Sequence, residues 1–152
     1  MHRDPQNSGM AFAAIDKLDD REQIRELVAT YAQHIALGRG EKVADLFTDD
    51  AVFSTVLPGQ VAGLPDVLRG REELRSFYSK IKLGAAFPIV HSQTVKIEDN
   101  EAIGESLLQV RLDHEGRVTH GQAHYLDRYV QDDGRWKFAE RTCTFLTLTP
   151  GP

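Results

Sequence analysis

The sequence is poor in the features that mark several large protein classes. Among its 152 residues there is one cysteine, Cys143, which excludes an internal disulfide and a zinc site built on cysteine pairs. No apolar run approaches the roughly 20 residues with which a helix crosses a bilayer. Basic residues are the minority: 18 Lys and Arg stand against 23 Asp and Glu, a formal charge of −5, which argues against a general grip on nucleic acid. The motifs HExxH, GxxxxGK[ST], GxGxxG and GxSxG are missing, so neither a bound metal, a nucleotide cofactor nor a serine nucleophile is expected. His120 and His124, four apart on a predicted strand, stand roughly 13 Å from each other, too far to share a metal. The opening MHRDPQNSGM is polar and lacks the apolar core of a secretory signal, and with the lone cysteine this predicts a cytoplasmic protein.

What is present suits one compact domain, with 41% hydrophobic and 27% charged residues. Residues 1–18 carry no sustained period, and Pro5, Asn7, Ser8 and Gly9 predict a flexible tail in which Met10 is an alternative start to Met1. From Asp19 the pattern changes. Ile24, Leu27, Val28, Tyr31 and Ile35 share one helix face, with Asp19 or Asp20 as N-cap and Gly38 as the left-handed terminator. A second helix is predicted over Glu41–Phe47 and a third over Arg71–Ile81. Ala51–Val56 reads as a strand, and Leu57–Arg69, with Pro58, Gly59, Gly63 and Pro65, as a loop around a short edge segment.

Ile89–Glu98, Ala102–Leu112, Val118–Gln131 and Trp136–Leu148 have the composition of four long strands joined by hairpins, which makes them antiparallel neighbours. Helices followed by a curled meander define an α+β domain over 19–148, with a short C-terminal tail at 149–152. The strand from Val118 separates two faces. Thr119, Gly121, Ala123, Tyr125, Asp127 and Tyr129 combine small residues with polar groups, the composition of a pocket wall; Val118, His120, Gln122, His124, Leu126 and Arg128 form the bulky outer face. Setting Asp127 against Glu140 would oppose like charges. A register one residue away puts Arg141 beside Asp127 and Tyr125, as a structural ion pair or as a group holding substrate, and the pairing is expected to lower the Asp127 pKa.

Histidine is the natural proton carrier near neutral pH. His2 and His114 fall on the surface, and His120 and His124 on the outer face. His91, grouped by alternation with Gln93, Val95 and Ile97, and His34, one turn after Tyr31, are the candidates for a site. Tyr31 fits either a core position or an oxyanion donor. Phe53, Leu57, Phe77, Phe87, Leu108 and Phe145, together with Phe47, read either as cavity lining or as ordinary core.

The segments DDREQIRELVATYAQHIALGRGEKVADLFTDDAVF, LRGREELRSFY and YLDRYVQDDGRWKFAER together resemble the SnoaL-like branch of the nuclear-transport-factor-2-like superfamily, over residues 19–147. The resemblance implies three helices and a strongly curved sheet arranged as a cone around a deep apolar cavity, and a homodimer paired through the outer sheet face. The superfamily includes ketosteroid isomerases, polyketide cyclases, scytalone dehydratase, bile-acid dehydratases, epoxide hydrolases and non-catalytic binding modules. Tyr31 matches a tyrosine of many members, and Tyr125 and Asp127 fall on an inward Tyr-x-Asp pair. The acid that several dehydratases and cyclases carry at the end of the first helix is matched by Ala36. Their strand histidine is matched by His91 if the preceding loop is shortened, and by Pro88 if it is not. The resulting expectation is a cofactor-free lyase or isomerase acting on an apolar cyclic or polyketide-like molecule. His91 or His34 would be the base, Tyr31 and Tyr125 would bind the oxyanion, and Asp127 with Arg141 would orient them. The alternative is a binding or assembly module without turnover.

Overall fold

The computed structural model describes residues 5–58 and 64–151; the predicted tail residues 1–4 with His2, the loop glycines Gly59 and Gly63, and Pro152 lie outside them. The elements are α1 (Pro5–Ala36), α2 (Gly40–Val43), a 3-10 turn (Ala44–Leu46), β1 (Phe47–Val56), β2 (Val67–Arg69), α3 (Gly70–Tyr78), β3 (Ala86–Glu98), β4 (Glu101–His114), β5 (Arg117–Asp132) and β6 (Arg135–Pro150). The sheet runs β2-β1-β6-β5-β4-β3 and is open. All its pairs are antiparallel except β1 with β6, which are parallel. This is the α+β cone that the sequence implies, its helices stacked on one sheet face.

Several boundaries differ from the sequence reading: among others, α3 ends at Tyr78 and not Ile81, and β3 begins at Ala86 and not Ile89. Helix α1 begins at Pro5 and not Asp19: proline suits the first helical position, and Ala11, Ala13 and Ala14 sustain the helix although the side chains from Ala11 to Asp19 are exposed. Asp20 is therefore no N-cap. Its carboxylate lies inside the helix and accepts from the indole N–H of Trp136 at 2.8 Å and the amide of Gln131 at 3.2 Å, tying α1 to the last hairpin. Phe47 belongs to β1, where it pairs with Phe138, and not to the second helix. Strand β6 continues through Thr149, opposite His120, so the predicted C-terminal tail begins as strand.

Helix α1 ends as predicted. Gly38 has φ +69°, and two hydrogen bonds, Gly38 N–H to the Ile35 carbonyl at 3.3 Å and Arg39 N–H to the His34 carbonyl at 2.8 Å, close the Schellman pattern. On the sheet, Gly121, Ala123, Tyr125, Asp127 and Tyr129 of β5 are buried under the helices. Gln122, Leu126 and Arg128 are exposed on the other side. The core lies between, built from Ile24, Val28, Tyr31 and Ile35 of α1, Leu74 and Tyr78 of α3, and Phe47, Phe53, Tyr129 and Phe138 of the sheet. Among the described residues no helix is long and apolar enough to cross a membrane.

Candidate functional site

A cavity of about 80 Å³ opens between the helices and the concave sheet face. Tyr31 and Ile35 enter it from α1, Phe77 and Tyr78 from α3, and Phe53 and Thr55 from β1. Ala86 and Pro88 of β3, Leu108, Val110 and Leu112 of β4, Tyr125 of β5, and Cys143 and Phe145 of β6 form the sheet side of the wall, with Leu64, Pro65 and Ile81 from the connecting segments. The composition follows from alternation: each strand sends every second residue inward, and Ala123 of β5, fully buried, leaves room beside Tyr125.

Polar groups are few in this wall, and they are coupled. The Tyr31 and Tyr78 hydroxyls share a hydrogen bond of 2.6 Å. The Arg141 guanidinium, fully buried, lies 3.5 Å from the Tyr125 ring centre and 4.3 Å from that of Tyr31, near enough for cation–π attraction to both. Its Nε donates to Asp127 at 2.9 Å and its Nη2 at 3.4 Å, and the Tyr129 hydroxyl donates to the same carboxylate at 2.7 Å. The predicted register is the observed one, since Asp127 pairs with Arg141. Arg141 Nη1 is buried with no hydrogen-bond partner among the described residues.

Burial dominates the acid-base behaviour of this cluster. It pushes the Tyr31 hydroxyl up to about 12, partly countered by Arg141 and by the Tyr78 hydrogen bond. Tyr78 and Tyr125 are likewise held well above the usual tyrosine range by burial. The Cys143 thiol is pushed up to about 12 and stays protonated, which removes it as a nucleophile. Burial pulls Arg141 down, but Asp127 and the tyrosines outweigh it and Arg141 remains a cation. Asp127 moves up, against the sequence expectation: burial outweighs Arg141 and the Tyr129 hydrogen bond.

The structure brings Tyr31, Tyr125, Phe53, Phe77, Leu108 and Phe145 together in the lining and sets Asp127 and Arg141 behind it. Leu57 is half-buried against the core outside the lining. Phe87, 48% exposed, lies on the outer sheet face in a groove of about 590 Å³ with Arg111 and His120. His91 is exposed as well. The β3–β4 register shifts between Val90 and Ser92, so the alternation that seemed to group His91 with Gln93, Val95 and Ile97 is broken by a bulge. Pro88 is the buried lining residue instead. His34 is half-buried but does not line the cavity, and its pKa is lowered by burial and then by Arg39 and Lys42. Sequence reasoning placed Tyr78 only on a helix face. The signal was its position four after Leu74, on the side of α3 that must meet α1. Among the described residues no three His, Cys, Asp or Glu side chains gather as a metal site.

This chain belongs to the SnoaL-like family, whose model matches residues 16–142. Its fold is that of the wider nuclear-transport-factor-2-like superfamily. An NTF2-like protein with a cystatin-like fold from Novosphingobium aromaticivorans is 19% identical, covers 96% of this chain and 92% of its own, and superposes with a TM-score of 0.74. A candidate scytalone dehydratase from the same organism is 19% identical, with 90% of each chain covered and a TM-score of 0.74. A hexachlorocyclohexane dehydrochlorinase from Novosphingobium barchaimii is 15% identical, with 91% of this chain and 94% of that one covered and a TM-score of 0.76. At these identities the likeness is one of fold. Among curated proteins none gives a significant match.

Proposed function

We propose that the inner cavity binds an apolar small molecule through one carbonyl or hydroxyl oxygen, and that the chain acts on it as a cofactor-free lyase or isomerase. The observation that carries this reading is the buried pair of tyrosine hydroxyls, 2.6 Å apart, in a largely apolar wall. A substrate oxygen beside the pair accepts a hydrogen bond, and exclusion of water strengthens it. In an elimination, a tyrosine gives its proton to the leaving hydroxyl, the C–O bond breaks and water departs. The adjacent C–H proton then returns to the tyrosinate while its electron pair forms the double bond. Arg141, stacked on Tyr31, stabilises the transient tyrosinate. Two relatives in fold are described as a dehydratase and a dehydrochlorinase, both names for eliminations.

A binding module without turnover is the second reading. It is favoured by the absence of any imidazole or carboxylate among the described lining residues, and by a Tyr31 pKa of about 12, which leaves almost no tyrosinate at neutral pH to serve as a resting base. Deuterium exchange next to the carbonyl, followed by NMR on a panel of cyclic ketones, enones and β-hydroxy ketones, separates the two. The enzyme reading predicts exchange or water loss above the buffer rate, reduced about 100-fold or more in Tyr31→Phe or Tyr78→Phe, the range of general acid–base catalysis. Binding without exchange leaves the module.

A further inference from the structure

The inner cavity is too small for a whole ligand. Sites for small molecules span about 300–1,000 Å³, whereas the inner cavity offers about 80 Å³. The rest of any ligand must lie outside, and a place for it adjoins. A second hollow of about 300 Å³ is lined by Leu64, Phe77, Ile81, Ala86 and Leu112, all of which also line the inner cavity. The two hollows therefore adjoin across shared apolar side chains.

The outer hollow has a polar rim that the inner one lacks, made of Lys80, Asp113 and His114. The Asp113 carboxylate is engaged within its own strand and turn: it lies 3.8 Å from Arg111 and accepts the Gly116 N–H at 3.0 Å. Lys80, at the end of the turn that follows α3, makes no ion pair with another described residue. The available charge on the rim is thus positive.

Resting on the small-molecule reading above, we infer that the two hollows are compartments of one site, which takes an elongated amphipathic carboxylate, its narrow apolar end in the inner cavity and its anionic group at the Lys80 ammonium. Size sets which end goes in, and charge agrees, because no Lys, Arg or His is among the described residues that line the inner cavity and Arg141 lies behind them. An anion left at the rim stays partly hydrated and meets a cation at little desolvation cost.

Calorimetric titration of the full chain at pH 7.5 and low salt, with octanoate and with octan-1-ol, tests this. Octanoate binds up to about fivefold tighter than the neutral alcohol, the range of a part-exposed ion pair, and the gap closes in Lys80→Gln. Ala86→Leu, on the shared wall, weakens both probes. Equal affinity in the unaltered chain, or a gap that survives Lys80→Gln, overturns the rim assignment and leaves the cavity reading standing. Binding untouched by Ala86→Leu overturns the inner seat. If neither probe binds, both readings fall.

Discussion

Arg141 and Asp127 are both fully buried, and each is tolerable there only because of the other. Asp127→Ala removes the carboxylate but leaves the cation among aromatic rings, and is expected to cost about 3–5 kcal/mol of stability, read from urea unfolding. The double change Asp127→Leu with Arg141→Met removes both charges and recovers most of that loss. A single variant that loses under about 1 kcal/mol would show that water reaches the guanidinium. Much of this centre was legible in the sequence, because like-charge repulsion between Asp127 and Glu140 selects the register that joins Asp127 to Arg141. The direction of the Asp127 pKa was not. It depends on how deeply the pair is buried, a quantity set by α1 and α3 and absent from the pattern of β5.

At the scale of elements, the turn between α1 and α2 holds the helical half of the cavity wall in place. Gly38 lies in the left-handed region, and a Cβ added there would sit 2.7 Å from the backbone nitrogen of Leu83. Gly38→Ala is expected to cost at least about 1–2 kcal/mol, the left-handed penalty alone, and thermal unfolding in parallel with wild type measures it. Strand alternation was reliable along β5, whose ladder with β4 is unbroken and whose two register shifts against β6 place the extra residue on β6. It failed on β3, where one bulge between Val90 and Ser92 turns His91 outward, and alternation in a single strand carries no mark of what its neighbour opposes. The extra turns of α1 were hidden for another reason: Pro5, Asn7, Ser8 and Gly9 read as a tail, and Phe12, Ile15 and Leu18, spaced three apart but all exposed, make too short an apolar stripe to stand out.

For the whole molecule, the outer sheet face is the surface in want of a partner. Phe87 and Ile89 of β3, Ile103 and Leu107 of β4, Leu126 of β5 and Leu146 of β6 are all exposed there. A second copy of the chain is the proposed occupant, so sedimentation should return twice the chain mass, and Leu107→Glu combined with Leu126→Glu should return one. A wild-type chain that sediments as a monomer at high concentration ends that proposal. The parallel pairing of β1 with β6 has a consequence during synthesis. Phe53 is made early, yet its ladder partner Arg141 arrives only with the last strand. A ribosome adding about 5–20 residues per second therefore leaves β1 without its β6 neighbour for several seconds after α3 is made. The newborn chain depends on β6, because until that strand is made the site lacks Arg141 and the wall that Cys143 and Phe145 supply.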